Sequence, residues 1–440
     1  MDRPRSTEEA LRIVEAFDSL PLKRRSEIFR TLSPAAKETL LGAVSRPGDL
    51  TRSLSEEEMY YTIKVLGEES APHLVAATTG RQLQYLLDLE LWKKDMFNPW
   101  ASAKWLELIA KTSEEKILQF VQTCDPELLV TALNPFLTVL TRNPDIDLTE
   151  ERDSLPSFTL DDVFFVKFRI PSSEDVIKSF LETVFGWNPH YYMGLMEELA
   201  RGVPNEDQEI AAKWRRARLS EHGFPDFDDA MQVYQYLHKG GVSQTPADSP
   251  PLPPEDREPV RILDYPLKLI SEENLLKRAL DSIDDADEHD RLAAELAHLG
   301  NKVMVADARD PGSVDDLHRS LQKVSGYINL ALEDMCGDKV EHAVDVLKAN
   351  HMEMLFRRGF SLILDLRKDA QKLVRESEGG VDNLGHPLAG LLNGLFQKRP
   401  IFARNVVDGR EPRDFQGIDD LNAIRQYMDR QAIEERWEPI

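Results

Sequence analysis

Four dipeptides, each with a helix-capping side chain directly before a proline, constrain the fold of this chain most strongly. They are Ser33-Pro34, Asn98-Pro99, Asp125-Pro126 and Asn188-Pro189. The first side chain can accept a hydrogen bond from an unpaired N–H of the following helix. Proline suits the first helical position, because an N–H there has no partner within the helix. The sequence therefore predicts many closely spaced helix starts, and hence many short helices.

The apolar residues that follow these starts recur at helical spacing. Ser55 and Glu58 have the spacing of a capping box, and Met59, Ile63 and Leu66 follow at i, i+4 and i+7. Helices of about 10–15 residues are marginal alone, so each must bury its apolar face against its neighbours. We predict a helical array of the repeat type, although the sequence has no fixed period and no tetratricopeptide or ankyrin consensus.

Two segments depart from the short-helix pattern. Residues 157–160 and 163–170 are rich in β-forming side chains and predict a small hairpin. Residues 238–260 are dense in proline and lack apolar periodicity, which predicts an extended linker. Its Pro250–Pro254 run contains a PxxP motif, for which we favour a spacer over a docking segment.

The C-terminal part of the chain has longer helical patterns. They cover residues 285–308, 312–336 and 338–377. Long helices joined by short turns pack as antiparallel bundles. We therefore predict an all-α fold in four regions: a short-helix array at 1–145, a β-hairpin plus helical region at 146–237, a proline-rich linker at 238–260 and a helical bundle at 261–440.

Composition limits the classes of function. The chain has 440 residues, 41% of them hydrophobic, and a formal net charge of −24 at pH 7. This hydrophobic fraction is typical of a globular protein, and the negative field repels nucleic-acid phosphates and anionic lipid head groups. The apolar runs are far shorter than the roughly 20 residues that cross a bilayer. We expect neither nucleic-acid binding nor an integral membrane segment.

The cysteine content and the first residues favour a cytoplasmic protein. The two cysteines, Cys124 and Cys336, lie far apart and outside any CxxC or Cys/His cluster. A disulfide framework or a structural zinc site is therefore not expected. The first residues lack the apolar stretch of a signal peptide.

Three segments carry a resemblance that covers most of the chain: Arg81–Trp92, Arg218–Ala230 and Leu355–Phe360. They look like an uncharacterised bacterial domain-of-unknown-function family. This resemblance implies a shared fold and no particular chemistry.

The first 130 residues carry a second, weaker resemblance. Leu32–Leu41 and Asp125–Leu129 each combine a capped short helix with a Leu-Leu pair. In this respect the segment resembles the superhelical N-terminal domain of bacterial magnesium transporters and of the flagellar motor switch. The pore segments of the transporters are absent from the sequence, so the resemblance does not imply transport.

Motifs for common cofactor and hydrolase chemistry are absent from the sequence. It contains no GxxxxGK[ST] or GxGxxG loop, and no GxSxG or HExxH motif. We therefore predict no cofactor.

One ExxH motif is a weak candidate for metal binding. Glu295 and His298 would lie on one face of a helix, as in di-iron carboxylate bundles. That chemistry needs a second ExxH, and the sequence has none. We favour a solvated helix face, and predict no metal site.

Carboxylates near a histidine give a weak candidate for acid–base catalysis. Glu198, His222 and Asp226 lie in one predicted helical region that could fold around a cleft. The favoured interpretation is helix-surface charge, with Asp226 capping the helix that begins there, because charge alone does not identify a site.

The strongest basic cluster is a weak candidate for partner binding. It consists of Lys213, Trp214, Arg215 and Arg218. A tryptophan beside arginines could bind an acidic peptide or stack on bases. The favoured alternative is a buried Trp214 with flanking arginines paired to nearby acids.

These observations leave the function open among three hypotheses. The first is a protein–protein interaction or scaffold protein, because helical arrays offer extended concave surfaces. The second is an enzyme with its acid–base site in the central helical region, and the third is a regulator whose linker couples two helical halves. We consider an enzyme less favoured, and the sequence identifies neither the partner nor the oligomeric state.

Overall fold

The computed structural model describes residues 7–93, 95–143, 155–202, 204–243, 263–270, 273–377 and 379–437. The described residues contain 22 α-helices and two small sheets, which confirms the predicted all-α class with a minor β-hairpin. They form two compact units. The first lies within Met1–Glu221 and Arg261–Leu263, and the second lies within His222–Val260 and Asp264–Ile440.

The first unit consists mainly of short helices. They are α1 (Thr7–Asp18), α2 (Leu22–Thr31), α3 (Pro34–Leu41), α4 (Pro47–Thr51), α5 (Glu56–Leu66), α6 (Pro72–Ala77), α7 (Gly80–Glu90), α8 (Pro99–Ala110), α9 (Glu114–Thr123), α10 (Pro126–Leu133), α11 (Glu174–Trp187), α12 (Pro189–Arg201) and α13 (Pro204–Glu221). Single 3-10 turns occur at Glu68–Ser70 and Pro171–Ser173.

The predicted cap-plus-proline starts begin helices, and three of the four caps make the expected bond. The Ser33 Oγ accepts a hydrogen bond from the Ala36 N–H. The side chains of Asn98 and Asn188 each accept two hydrogen bonds from the first turn of their helix. Asp125 occupies the same position before α10 but makes no side-chain capping bond, because its carboxylate binds Arg218 instead.

The larger sheet has three strands and confirms the predicted hairpin. Strands β4 (Phe158–Thr159) and β5 (Phe164–Phe168) pair antiparallel, with Phe158 opposite Val166. Strand β3 (Leu137–Thr141) pairs with the other edge of β5, and the sequence did not predict it.

The smaller sheet has two strands and was not predicted from the sequence. Strands β1 (Trp92–Lys93) and β2 (Met96–Phe97) form a hairpin between α7 and α8, with Trp92 opposite Phe97. The rings of Trp92 and Phe97 meet edge to face, with centroids 5.5 Å apart.

Buried polar side chains join successive helices of the first unit. The Gln82 amide donates hydrogen bonds to the backbone carbonyls of Thr51 (2.7 Å) and Leu54 (3.0 Å). The buried Lys116 ammonium donates to the Thr78 carbonyl (2.8 Å) and to the Gln119 side chain (2.7 Å), and burial lowers the pKa of Lys116 to about 7. The bonds to Thr51 and Thr78 satisfy backbone carbonyls left over at the ends of helices.

The second unit contains longer helices. They are α14 (Phe227–Ala230), α15 (Tyr265–Lys268), α16 (Leu275–Asp281), α17 (Ala286–Ala306), α18 (Val314–Cys336), α19 (Val340–Ala349), α20 (Met352–Glu376), α21 (Leu388–Leu395) and α22 (Ile418–Trp437). Single 3-10 turns occur at Met231–Tyr234, Lys239–Gly241, Val381–Asn383 and Arg404–Val406.

The predicted helix at 338–377 is wrong in one respect, because the structure divides it into α19 and α20. Asn350, in extended conformation, ends α19. The Asn350 side chain donates 2.8 Å hydrogen bonds to the carbonyls of Val346 and Ser243. The Asn350 side chain thus pairs a backbone carbonyl at the end of α19 and joins this helix to the segment at Ser243.

Helices α18 and α20 pack closely in the core of the second unit. A Cβ added at Gly359 would lie 1.8 Å from the Tyr327 carbonyl oxygen, so only glycine fits at this crossing. The Tyr327 ring packs on Phe356 and Phe360, with centroid distances of 5.0 and 6.0 Å.

A buried ion network joins four segments of the second unit. The Asp307 carboxylate, just after α17, accepts hydrogen bonds from Tyr234 (2.8 Å), Lys323 (2.6 Å) and Arg399 (2.8 Å). Burial opposes ionisation of Asp307, but Lys323 and the other donors outweigh burial and lower its pKa. Because every donor comes from a different segment, the network holds these four segments together.

The predicted linker at 238–260 lies, from residue 244 onward, outside the described residues. Its first residues bind to the second unit, where the Ser243 N–H donates to the Asn350 side chain at 2.8 Å. Among the residues that the structure describes, no helix is both long and apolar enough to cross a membrane.

Candidate functional site

Helix α13 is held in place by an arginine–aspartate cluster centred on the buried Asp88. The Arg218 guanidinium binds both carboxylate oxygens of Asp88 on α7, at 2.7 and 2.8 Å. It also binds the Asp125 carboxylate before α10, at 2.7 Å. A two-pronged guanidinium–carboxylate contact fixes orientation as well as distance. The cluster therefore sets where α13 lies relative to α7 and α10.

The other members of the predicted basic cluster are divided between core and surface. Arg215 is 7% exposed; it binds the Asp88 carbonyl, and its guanidinium lies 5.6 Å from the Trp92 ring centre. Trp214 is 50% exposed, and Lys213 also faces solvent. The expected pairing of arginines with acids is thus present, but the expected burial of Trp214 is wrong. The helix turns Arg215 inward, and its long apolar stem packs in the core.

An open groove lies beside two of the helices that this cluster positions, α10 and α13. Its volume is about 290 Å³, and α10, α12 and α13 form its walls. We call it the acidic groove. It is lined by Pro126, Glu127, Val130, Glu198, Arg201, Glu206, Asp207 and Ile210.

The acidic groove has an excess of negative charge. Four carboxylates and one guanidinium line it, and Arg201 pairs with Glu198 at 2.8 Å. Among the described residues, that is the one ion pair within the groove. Three carboxylates therefore lack a cationic partner there.

The environment of the groove shifts the pKa of Asp207. Partial burial raises the pKa of Asp207, and the charges of Glu198, Glu127 and Glu206 raise it further, whereas Arg201 lowers it. Asp207 lies in the first turn of α13, where the helix dipole favours a carboxylate. Burial and the neighbouring carboxylates together outweigh Arg201, so ionisation of Asp207 is unfavourable in the folded protein.

The structure divides the predicted acid–base residues between the two compact units. Glu198 lines the acidic groove of the first unit, whereas His222 and Asp226 belong to the second. Asp226 is exposed at the start of α14 and makes no side-chain capping bond. Within its own unit, Glu198 lies beside the other carboxylates of the acidic groove.

Glu295, one of the two weak metal candidates, organises the start of α20. Its carboxylate accepts a hydrogen bond from the Met352 N–H at 2.8 Å and lies 3.1 Å from the His351 Nδ1. It also pairs with Arg291. His298 is exposed, and its backbone packs on Gly223. Within the described ranges, no group of three or more histidine, cysteine or acidic side chains is arranged to hold a metal ion.

A second open groove, of about 480 Å³, lies between α6 and α8. Most of its charges are paired: Lys104 pairs with Glu68 at 3.2 Å, and Lys111 pairs with Glu107 at 2.5 Å, so that Glu69 leaves an excess of one negative charge. This groove therefore has no excess charge comparable to that of the acidic groove.

The fold and the site together define an all-helical protein with an acidic groove in its first unit. The family of unknown function DUF6178 matches residues 15–437, and the chain belongs to this family. No curated protein and no solved structure matches the chain.

Proposed function

We propose that this chain is a protein-interaction protein whose acidic groove binds a positively charged segment of a partner protein. The observation that carries the proposal is the set of four carboxylates opposed by a single guanidinium. Partial burial and the neighbouring carboxylates both oppose ionisation of Asp207 and raise its pKa. A bound lysine or arginine would relieve this repulsion, so part of the binding free energy comes from strain already present in the free protein.

The charge of the whole chain supports a cationic partner. A net charge of −24 attracts positively charged molecules over a distance and raises their rate of encounter. The same charge opposes binding of nucleic acids and anionic lipids. A basic protein segment is the ligand that suits both the local and the overall field.

The two other hypotheses have less support. The acid–base hypothesis includes Asp226, which is exposed to solvent. The regulator hypothesis depends on a linker that lies, from residue 244 onward, outside the described residues.

The test is binding of a fluorescent lysine-rich peptide, followed by anisotropy. The groove variant Glu206→Gln/Asp207→Asn removes two negative charges, and we expect it to bind about tenfold more weakly, given up to about 1 kcal/mol per exposed charge pair. The matched control, Asp284→Asn/Glu341→Gln, removes two exposed charges from the second unit and should bind within about twofold of wild type. Equal weakening in both variants would contradict the proposal, because the peptide would then sense only net charge.

A further inference from the structure

One face of α12 leads from an exposed apolar patch to the acidic groove. His190, Met193, Gly194, Glu197 and Arg201 recur at helical spacing, and all five are exposed. Arg201, at the end of this face, also lines the groove. Thirteen residues of helix extend about 20 Å, so the apolar patch and the groove lie within reach of one short peptide.

Two large apolar side chains, which we call the apolar patch, are exposed near the beginning of this face. Trp187, at the end of α11, is 40% exposed and packs on Tyr191, with ring centroids 5.6 Å apart. Met193 is 37% exposed. Exposed tryptophan and methionine side chains are enriched where proteins meet partners, and methionine adapts its shape to what it contacts.

Two glycines leave free space beside these side chains. A Cβ added at Gly186 or Gly194 would meet no described atom within 4 Å outside its own helix. Glycine in a helix interior is unfavourable relative to alanine. Packing within the first unit does not require either glycine, but a small residue lets another helix approach closely.

We propose that the partner segment is a basic amphipathic helix that lies along α12, with its apolar side on Trp187 and Met193 and its positive side in the acidic groove. This inference rests on the proposed function and adds that the bound segment is an amphipathic helix. Charge complementarity at the groove end fixes the orientation of the helix. Contact with the apolar patch removes apolar surface of the bound helix from water, a contribution that lysine side chains alone would not make.

The test uses two synthetic 18-residue peptides of identical lysine, leucine and alanine composition. One has its leucines on a single helical face, and the other has them distributed around the helix. We expect the wild-type protein to bind the amphipathic peptide about tenfold more tightly, since burial of two leucines is worth well over 1.4 kcal/mol. Equal affinity for the two peptides would overturn the inference.

The variant Gly194→Leu fills the space on α12 with a residue that favours helix, so the fold is retained. It should abolish the preference for the amphipathic peptide and leave the affinity for the scrambled one unchanged. The matched control Gly48→Leu, at another glycine with free space in the first unit, should keep the preference. A preference that survives in Gly194→Leu would also overturn the inference.

The groove variant Glu206→Gln/Asp207→Asn separates this inference from the proposed function. It should weaken binding of both peptides equally, and if it weakens neither, the proposed function fails whatever the α12 variants do.

Vesicles of anionic phospholipid test whether the exposed apolar face binds a membrane instead. We expect no binding to them, and vesicle binding that Gly194→Leu removes would assign the face to a membrane instead of a helix.

Discussion

Asp207 should cost the protein stability at neutral pH, because its folded-state pKa lies above the value in an unfolded chain. The folded state then holds its proton more tightly, so stability is lost as the pH rises through the range between the two pKa values. We expect Asp207→Asn to raise the melting temperature of the first unit at pH 7 while it weakens binding of the lysine-rich peptide. Such an exchange of stability for binding is common at functional sites.

The control for this prediction is the same pair of proteins at about pH 3, below both pKa values. There the wild-type carboxyl is protonated and neutral like asparagine, so the two melting temperatures should converge. A lower melting temperature of Asp207→Asn at pH 7 would mean that the carboxylate stabilises the fold. The claim that ionised Asp207 destabilises the folded protein would then be refuted.

Individual site residues were only partly predictable from the sequence. Glu198 was recognised as a candidate, but its proposed companions His222 and Asp226 were chosen by nearness in sequence. Its neighbours in the acidic groove, Glu127, Glu206 and Asp207, come from the first turns of two other helices. Charge in a first turn is ordinarily explained by the helix dipole, and only tertiary packing reveals that several such turns converge.

At the scale of helices, we expect the acidic groove to form only when Arg218 binds Asp88 and Asp125. Arg218→Ala leaves the buried Asp88 carboxylate without its main cation and Asp125 without its partner. Breaking one partner of a buried ion pair typically costs about 3–5 kcal/mol. We expect a loss of this size in the unfolding free energy of the first unit, and loss of peptide binding, measured by urea unfolding and anisotropy.

The matched control for Arg218 is Arg216→Ala, two residues earlier on α13. Arg216 is exposed, and its guanidinium makes a single long bond of 3.4 Å to the Ala212 carbonyl. An exposed substitution of this kind changes stability by about 0.5 kcal/mol or less. Similar losses in the two variants would show that the cluster does not hold α13.

The secondary structure was predictable where local chemistry determines it. Ser33, Asn98 and Asn188 cap helices as their sequence context predicts, since a cap and the helix it begins are adjacent in the chain. Strand β3 was not predictable, because it is completed by pairing with β5 more than 20 residues later. The break at Asn350 was missed because its side-chain partner, Ser243, is remote in sequence.

For the whole molecule, the net charge and the groove should affect different steps of binding. The charge of −24 acts at long range and steers a cationic ligand toward the surface, which mainly sets the association rate. The close carboxylates of the acidic groove act after contact and mainly set the dissociation rate. The two effects can therefore be separated by ionic strength.

We expect the association rate of the lysine-rich peptide to fall steeply between about 0.01 and 0.15 M salt, as the Debye length shortens from roughly 30 to 8 Å. In stopped-flow measurements, Asp284→Asn/Glu341→Gln should slow association slightly and leave dissociation unchanged. The groove variant Glu206→Gln/Asp207→Asn removes the same charge and should instead speed dissociation severalfold. If both variants changed only the association rate, the groove would add nothing beyond net charge, and binding would be a property of the acidic surface as a whole.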